Sequence, residues 1–180
     1  METYVALLRG INVGGKNIIK MVDLKSCFET MGFSDVITYI QSGNIIFKTP
    51  EENKYVLTQQ IEKGLSEQFN YQSKIVLISY NQYEHIIKHT PEDFGKYTET
   101  YKYDVVFLKE PLTPKEAIKY FSIREGIDKV YEGLFTLYIS RLIKEASKSY
   151  IQKIISQPVY QEMTIRNWNT AKKLYELMNK

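Results

Sequence analysis

The alternation of apolar and polar positions divides the chain into short segments of two kinds. Tyr4-Val5-Ala6-Leu7-Leu8 is a compact apolar run closed by Arg9-Gly10 and reads as a buried strand. After a glycine-rich stretch from Gly10 to Lys20, Leu24, Cys27, Phe28 and Met31 recur at helical spacing, with Asp23 at the positive end and Gly32 placed to stop the helix. Val36–Ile40 and Ile45–Phe47 are rich in β-branched and aromatic residues and flank Gln41-Ser42-Gly43-Asn44, which is turn chemistry, so they predict a hairpin. Thr49-Pro50-Glu51-Glu52 has the residues of a capped helix start, and Leu57, Ile61, Leu65 and Phe69 supply its inner face. Lys74–Ser79 then reads as a strand. The resulting order, strand, helix, strand, strand, helix, strand, is the split βαβ or ferredoxin-like unit.

A linking helix over 79–89 and a Pro91/Gly95 break lead into the same order again. Tyr103–Leu108 predicts a strand and Thr113-Pro114-Lys115-Glu116 a capping box. Lys129–Glu132 and Leu134–Ile139 predict a second hairpin around Gly133, and 147–155 has helical spacing. Trp168, Ala171, Leu174, Tyr175 and Met178 share one face of a final helix, and Thr164–Thr170 is expected to open it, with Thr164 or Asn167 as cap. The expected class is α+β: two tandem ferredoxin-like (βαββαβ-type) halves with antiparallel sheets, residues 1–90 and 91–180, plus the C-terminal helix. No linker-like segment separates the halves, so they are expected to pack closely.

Composition narrows the chemistry. The 180 residues carry 24 Lys and Arg against 21 Asp and Glu, a net charge of +3, too small an excess to declare a nucleic-acid or membrane partner by itself. The only cysteine is Cys27, which shares the apolar stripe of Leu24 and Phe28; it reads as a structural thiol, and no internal disulfide or cysteine-based metal site is open to one chain. No export signal and no apolar run of roughly 18 residues is present, so a cytoplasmic protein without a membrane partner is expected. His85 and His89 stand four apart on a helix whose inner face is marked by Tyr83 and Ile87, which puts both histidines on the outer face, with no third ligand fixed by spacing. No metal or cofactor is called for, and oligomeric state is not readable.

Three polar blocks remain. Gly10-Ile11-Asn12-Val13-Gly14-Gly15-Lys16-Asn17 matches the phosphate loop G-x-x-x-x-G-K-[ST] except at its last position, where Asn17 replaces the metal-binding hydroxyl. Either a glycine turn or an anion nest backed by Lys16 and Arg9 accounts for it. The hairpin tip offers Gln41, Ser42 and Asn44 beyond what turn-making needs. Arg166 and Asn169 exceed what capping explains, since an arginine at the positive end of a helix calls for a shared anion.

Together, the runs Leu7–Asn17, Lys20-Met21, Asp23-Leu24, Gly32-Phe33, Thr38–Asn44 and Thr164–Thr170 resemble the hallmark blocks of the bacterial family DUF1697. The resemblance implies two ferredoxin-like halves and no assigned activity. Its recurring polar positions fall on Arg9, Asn12, Lys16, Asn17, Gln41, Ser42, Asn44, Arg166, Asn167 and Asn169, with Ser147-Lys148 a weaker block.

Three classes of function stay open. The first is binding of a phosphate-bearing ligand, nucleic acid or a phosphorylated small molecule, through these ten residues. On that reading Tyr4 and Phe47 are the rings open to base stacking on a sheet face, but the RNA-recognition block K/R-G-F/Y-G/A-F-V-x-F/Y is absent and the tyrosines read mainly as packing. The second is a small-molecule enzyme with its pocket between the halves, although no base or nucleophile stands out. The third is a structural protein in which the amides brace the fold.

Overall fold

The computed structural model describes residues 1–180. Eight strands form two four-stranded antiparallel sheets. In the first, β1 (Glu2–Leu8), β2 (Ser34–Tyr39), β3 (Asn44–Thr49) and β4 (Ile75–Ser79) take the order β2-β3-β1-β4. In the second, β5 (Tyr101–Leu108), β6 (Asp128–Glu132), β7 (Thr136–Leu142) and β8 (Met163–Asn167) repeat it as β6-β7-β5-β8. Each sheet is therefore βαββαβ-like, and the chain closes with a C-terminal helix. Two compact units result: Met1–Tyr83 with Leu174–Lys180, and Glu84–Lys173.

In the first unit α1 (Met21–Thr30) and α2 (Lys54–Phe69) cover one sheet face. Leu24 and Phe28 from α1 and Leu57, Ile61 and Leu65 from α2 pack with Tyr4, Ala6, Leu8, Ile45 and Phe47. Phe47 stands at the centre of an aromatic group, 4.5 Å from Phe33, 5.4 Å from Phe28 and 5.9 Å from Tyr4 between ring centroids. Of the two readings of Tyr4 and Phe47, base stacking is excluded: alternation turns both toward the helices, where they are buried as packing residues. The opposite face offers no platform either, because Val5, Leu7, Ile46, Val76 and Ile78 are buried too.

The start of α2 also differs from expectation. Thr49 is the last rung of the β1–β3 ladder, opposite Glu2, so it cannot begin a helix. The cap is Asn53, whose side-chain oxygen accepts from the N–H groups of Tyr55 and Val56.

In the second unit α3 (Tyr80–Lys88), which begins at the end of the first, leads to β5. The capping box at Thr113 is formed, but α4 is only Pro114–Ala117, followed by a 3-10 turn at Ile118–Tyr120. The helix expected over 147–155 is replaced by a succession of 3-10 turns, Ile143–Lys148, Ile151–Ser156 and Pro158–Glu162. Ile151 and Ile154, three apart, lie one above the other at a three-residue period and join Val106, Leu108, Leu137, Ile139 and Met163 in the core, while Ile155 stays outside. The largest correction is at 164–167. These residues form β8, paired with β5 in the register Val105–Arg166, and α5 (Trp168–Met178) begins only afterwards. None of the helices is long and apolar enough to cross a membrane.

Candidate functional site

The stretch after β1 folds as a miniature hairpin. Asn12 N–H donates to the Asn17 carbonyl and Lys16 N–H to the Val13 carbonyl, both at 3.1 Å, and Gly14 and Gly15 turn the chain at φ 58° and 73°. Two successive positive φ values are the pattern of a type I′ turn, which explains the glycine pair without a phosphate loop; α1 starts only at Met21. Asn12 fastens this hairpin to its surroundings. Its Nδ2 donates to the Ile19 carbonyl at 3.1 Å and to the Gln41 carbonyl at 2.8 Å, and its Oδ1 accepts from the Ile19 N–H at 2.8 Å. Asn17 Nδ2 donates to the Gly10 carbonyl at 2.8 Å.

The tip of the β2–β3 hairpin is held against the same loop. Leu8 N–H donates to the Gly43 carbonyl at 2.8 Å. Asn44 is fully buried and gives its amide to the Tyr39 carbonyl and to Ser42 Oγ. Gln41 and Ser42 are exposed, and Arg9 is half-buried with its N–H on the Lys74 carbonyl. The structure thus brings Asn12, Lys16, Asn17, Gln41, Ser42 and Asn44 into one local assembly in the first unit, with Arg9 at its root. Most of the amide groups brace the backbone. The outward-facing part is Val13–Ile18: Val13 and Ile18 are 68% and 76% exposed, Lys16 is exposed, and beyond the α-carbons of Gly14 and Gly15 there is open space.

Arg166, Asn167 and Asn169 belong to the second unit. Arg166 is on a strand, not at a helix terminus, so no helix dipole calls for an anion beside it. Its Nη1 donates to Thr164 Oγ1 at 2.5 Å and to the Ile165 carbonyl at 3.1 Å. Asn167 ends the strand; its Nδ2 donates to the Tyr103 carbonyl at 3.3 Å and its Oδ1 accepts from the Asn169 N–H at 3.0 Å, starting α5. Asn167 and Asn169 line a hollow of about 340 Å³ together with Tyr101, Lys102, Tyr103 and Trp168.

Other candidates resolve as packing. The rings of His85 and His89 stack at 4.0 Å. Cys27 is half-buried with Sγ 4.0 Å from the Gly64 carbonyl, and burial raises its thiol pKa, the reverse of what a nucleophile needs. Sequence reasoning missed two features of the second sheet. One is a buried ion pair, Arg141 Nη2 on Asp104 Oδ2 at 3.1 Å. The other is a tyrosine-rich hollow beside β5 and β6, hinted at by the Tyr101–Tyr103 alternation.

The family DUF1697, described as a protein of unknown function, matches residues 1–138. A solved structure, that of conserved bacterial protein SP0830 from Streptococcus pneumoniae, superposes with a TM-score of 0.86 at 27% identity, over 98% of each chain. No curated protein matches.

Proposed function

Because the chain belongs to DUF1697, whose members are described as proteins of unknown function, we propose a function from its own loop: binding of a phosphate-bearing ligand, nucleic acid first. The observation that carries this reading is the Asn12 clamp. Three hydrogen bonds fix the Val13–Lys16 hairpin to Ile19 and Gln41, so Lys16 and two left-handed glycines are presented to solvent on a braced frame. Arg9, Lys16 and Lys20 lie within a stretch that has no acidic residue before Asp23. Cations placed on an ordered loop neutralise phosphates without the ordering cost of a free chain. Exposed Val13 and Ile18 add apolar contact of the kind an unstacked base or a sugar accepts.

With Tyr4 and Phe47 buried, recognition runs through loop and backbone and is tolerant of base sequence. The loop holds no carboxylate, histidine or thiol to act as base or nucleophile, which supports binding over turnover.

The test is fluorescence anisotropy of a labelled single-stranded oligonucleotide at about 50 and 200 mM salt, beside a nucleotide panel read by thermal shift. Affinity should fall steeply with salt, and Lys16→Ala should lower the slope by about one. Oligonucleotide binding that Lys16→Ala and Lys20→Ala leave unchanged, or no response to any probe, overturns the reading.

A further inference from the structure

In the second unit, the face of the sheet turned away from Val106 and Leu108 carries a row across three strands: Tyr103 on β5, Ser140 on β7 and Lys129 on β6, in direct register. Ser140 is buried and Lys129 exposed. Tyr101 and Tyr131 stand beside this row on the same face. The segment Glu92–Tyr97, folded back by left-handed Asp93 and Gly95, forms the remaining wall. The result is a cavity of about 230 Å³, smaller than the roughly 300 Å³ at which pockets for drug-sized molecules begin.

Its lining combines three chemistries. Phe94 and Tyr103 meet edge to face at 4.9 Å, and Tyr101 continues the aromatic arc 6.3 Å from Tyr103, with Tyr97 and Tyr131 beside them. The Tyr103 hydroxyl is fixed by accepting the Tyr97 N–H. Two carboxylates reach the cavity, Glu92 and Asp93; Asp93 is paired with Lys96 at 2.6 Å, and Glu92 adds a second negative charge to the rim. Lys129 supplies the positive one.

Aromatic faces with a carboxylate nearby suit an ammonium group. Lys129 penalises a plain cation, and Glu92 penalises a plain anion. We propose that this cavity binds a small zwitterion, a molecule of amino-acid or betaine type whose ammonium lies against the tyrosines and Glu92 and whose carboxylate meets Lys129. The site is separate from the Asn12 loop and stands or falls independently of it.

The experiment is a titration of the full-length protein, followed by amide NMR shifts at Tyr103, Tyr131 and Ser140. The probes are glycine betaine and L-valine as zwitterions, choline as the cation and acetate as the anion. At least one zwitterion should shift these amides saturably with a Kd on the order of 1 mM, and choline and acetate should bind about tenfold more weakly. Glu92→Gln, Lys129→Met and Tyr97→Ala alter exposed side chains and keep the fold; each should weaken the zwitterion about fivefold or more. Absence of a saturable shift with both zwitterions overturns the proposal. So does choline or acetate binding as tightly as they do, or insensitivity to Lys129→Met.

Discussion

Gly43 lies against Ile11 so closely that a β-carbon on the glycine would stand 2.6 Å from Ile11 Cδ1 and 2.8 Å from Leu8 Cβ. The contact joins the tip of the first hairpin to the loop after β1, and Gly43 also has a φ of 74°. Gly43→Ala should therefore lose about 1 to 3 kcal/mol from backbone strain, with overpacking added to it. Urea unfolding is the measurement; a stability unchanged within error would show that the tip relaxes freely.

Asn12 makes three side-chain hydrogen bonds and has a φ of 52°. Asn12→Gly keeps the backbone conformation accessible and removes the bonds, so it should cost about 2 to 3 kcal/mol at roughly 1 kcal/mol per bond. If the loop binds phosphate as proposed, the same variant should weaken oligonucleotide binding, although Asn12 need not touch the ligand. A variant that unfolds at the normal urea midpoint would mean the clamp is redundant.

Tyr138 donates to the Ile86 carbonyl at 2.7 Å, and burial pushes its pKa from 10.0 to about 12. The unfolded chain releases this proton near pH 10, before the folded protein does. The contribution is therefore whole below about pH 10 and is lost as pH rises towards about 12. Tyr138→Phe should cost about 1 kcal/mol at neutral pH. Between about pH 10 and about 12 it should lose less further stability than the parent protein. Parallel alkaline melts of the two proteins would contradict this.

Arg141 and Asp104 are 9% and 5% exposed, and Arg141 Nε has no hydrogen-bond partner. Asp104→Asn leaves a buried cation without its counter-charge and should cost about 3 to 5 kcal/mol. The double change Asp104→Leu with Arg141→Met should recover most of that loss. A double-mutant cycle without coupling would show that the pair does not act as a unit.

The order of elements in the first unit was legible because each carries one clean period: 3.6 in α1 and α2, two in the strands. Where two elements abut without a loop, the pattern misled. Asn167 is at once the last residue of a strand and the acceptor that starts α5, so 164–170 reads as a helix opening, although Met163 and Ile165 alternate as a strand should. Thr49-Pro50-Glu51 has every local mark of a helix start, but the ladder partner Glu2 on another strand decides its conformation. The candidate residues were legible as polar positions in excess of turn chemistry. Their roles were not, because an amide facing a carbonyl in another segment has the same letter as one facing a ligand. The Tyr103–Ser140–Lys129 row was hidden for a similar reason, as it exists only across strand register.

The 3-10 turns of Ile143–Glu162 have a kinetic meaning. Their bonds span three residues with poorer alignment than those of the 16-residue α2, and few of their side chains enter the core. Amide protons there should exchange with solvent through local openings long before those of α2 do, and trypsin should find Lys144, Lys148 or Lys153 before Lys63. The crossover into β8 is therefore expected to open before the helices of the first unit do.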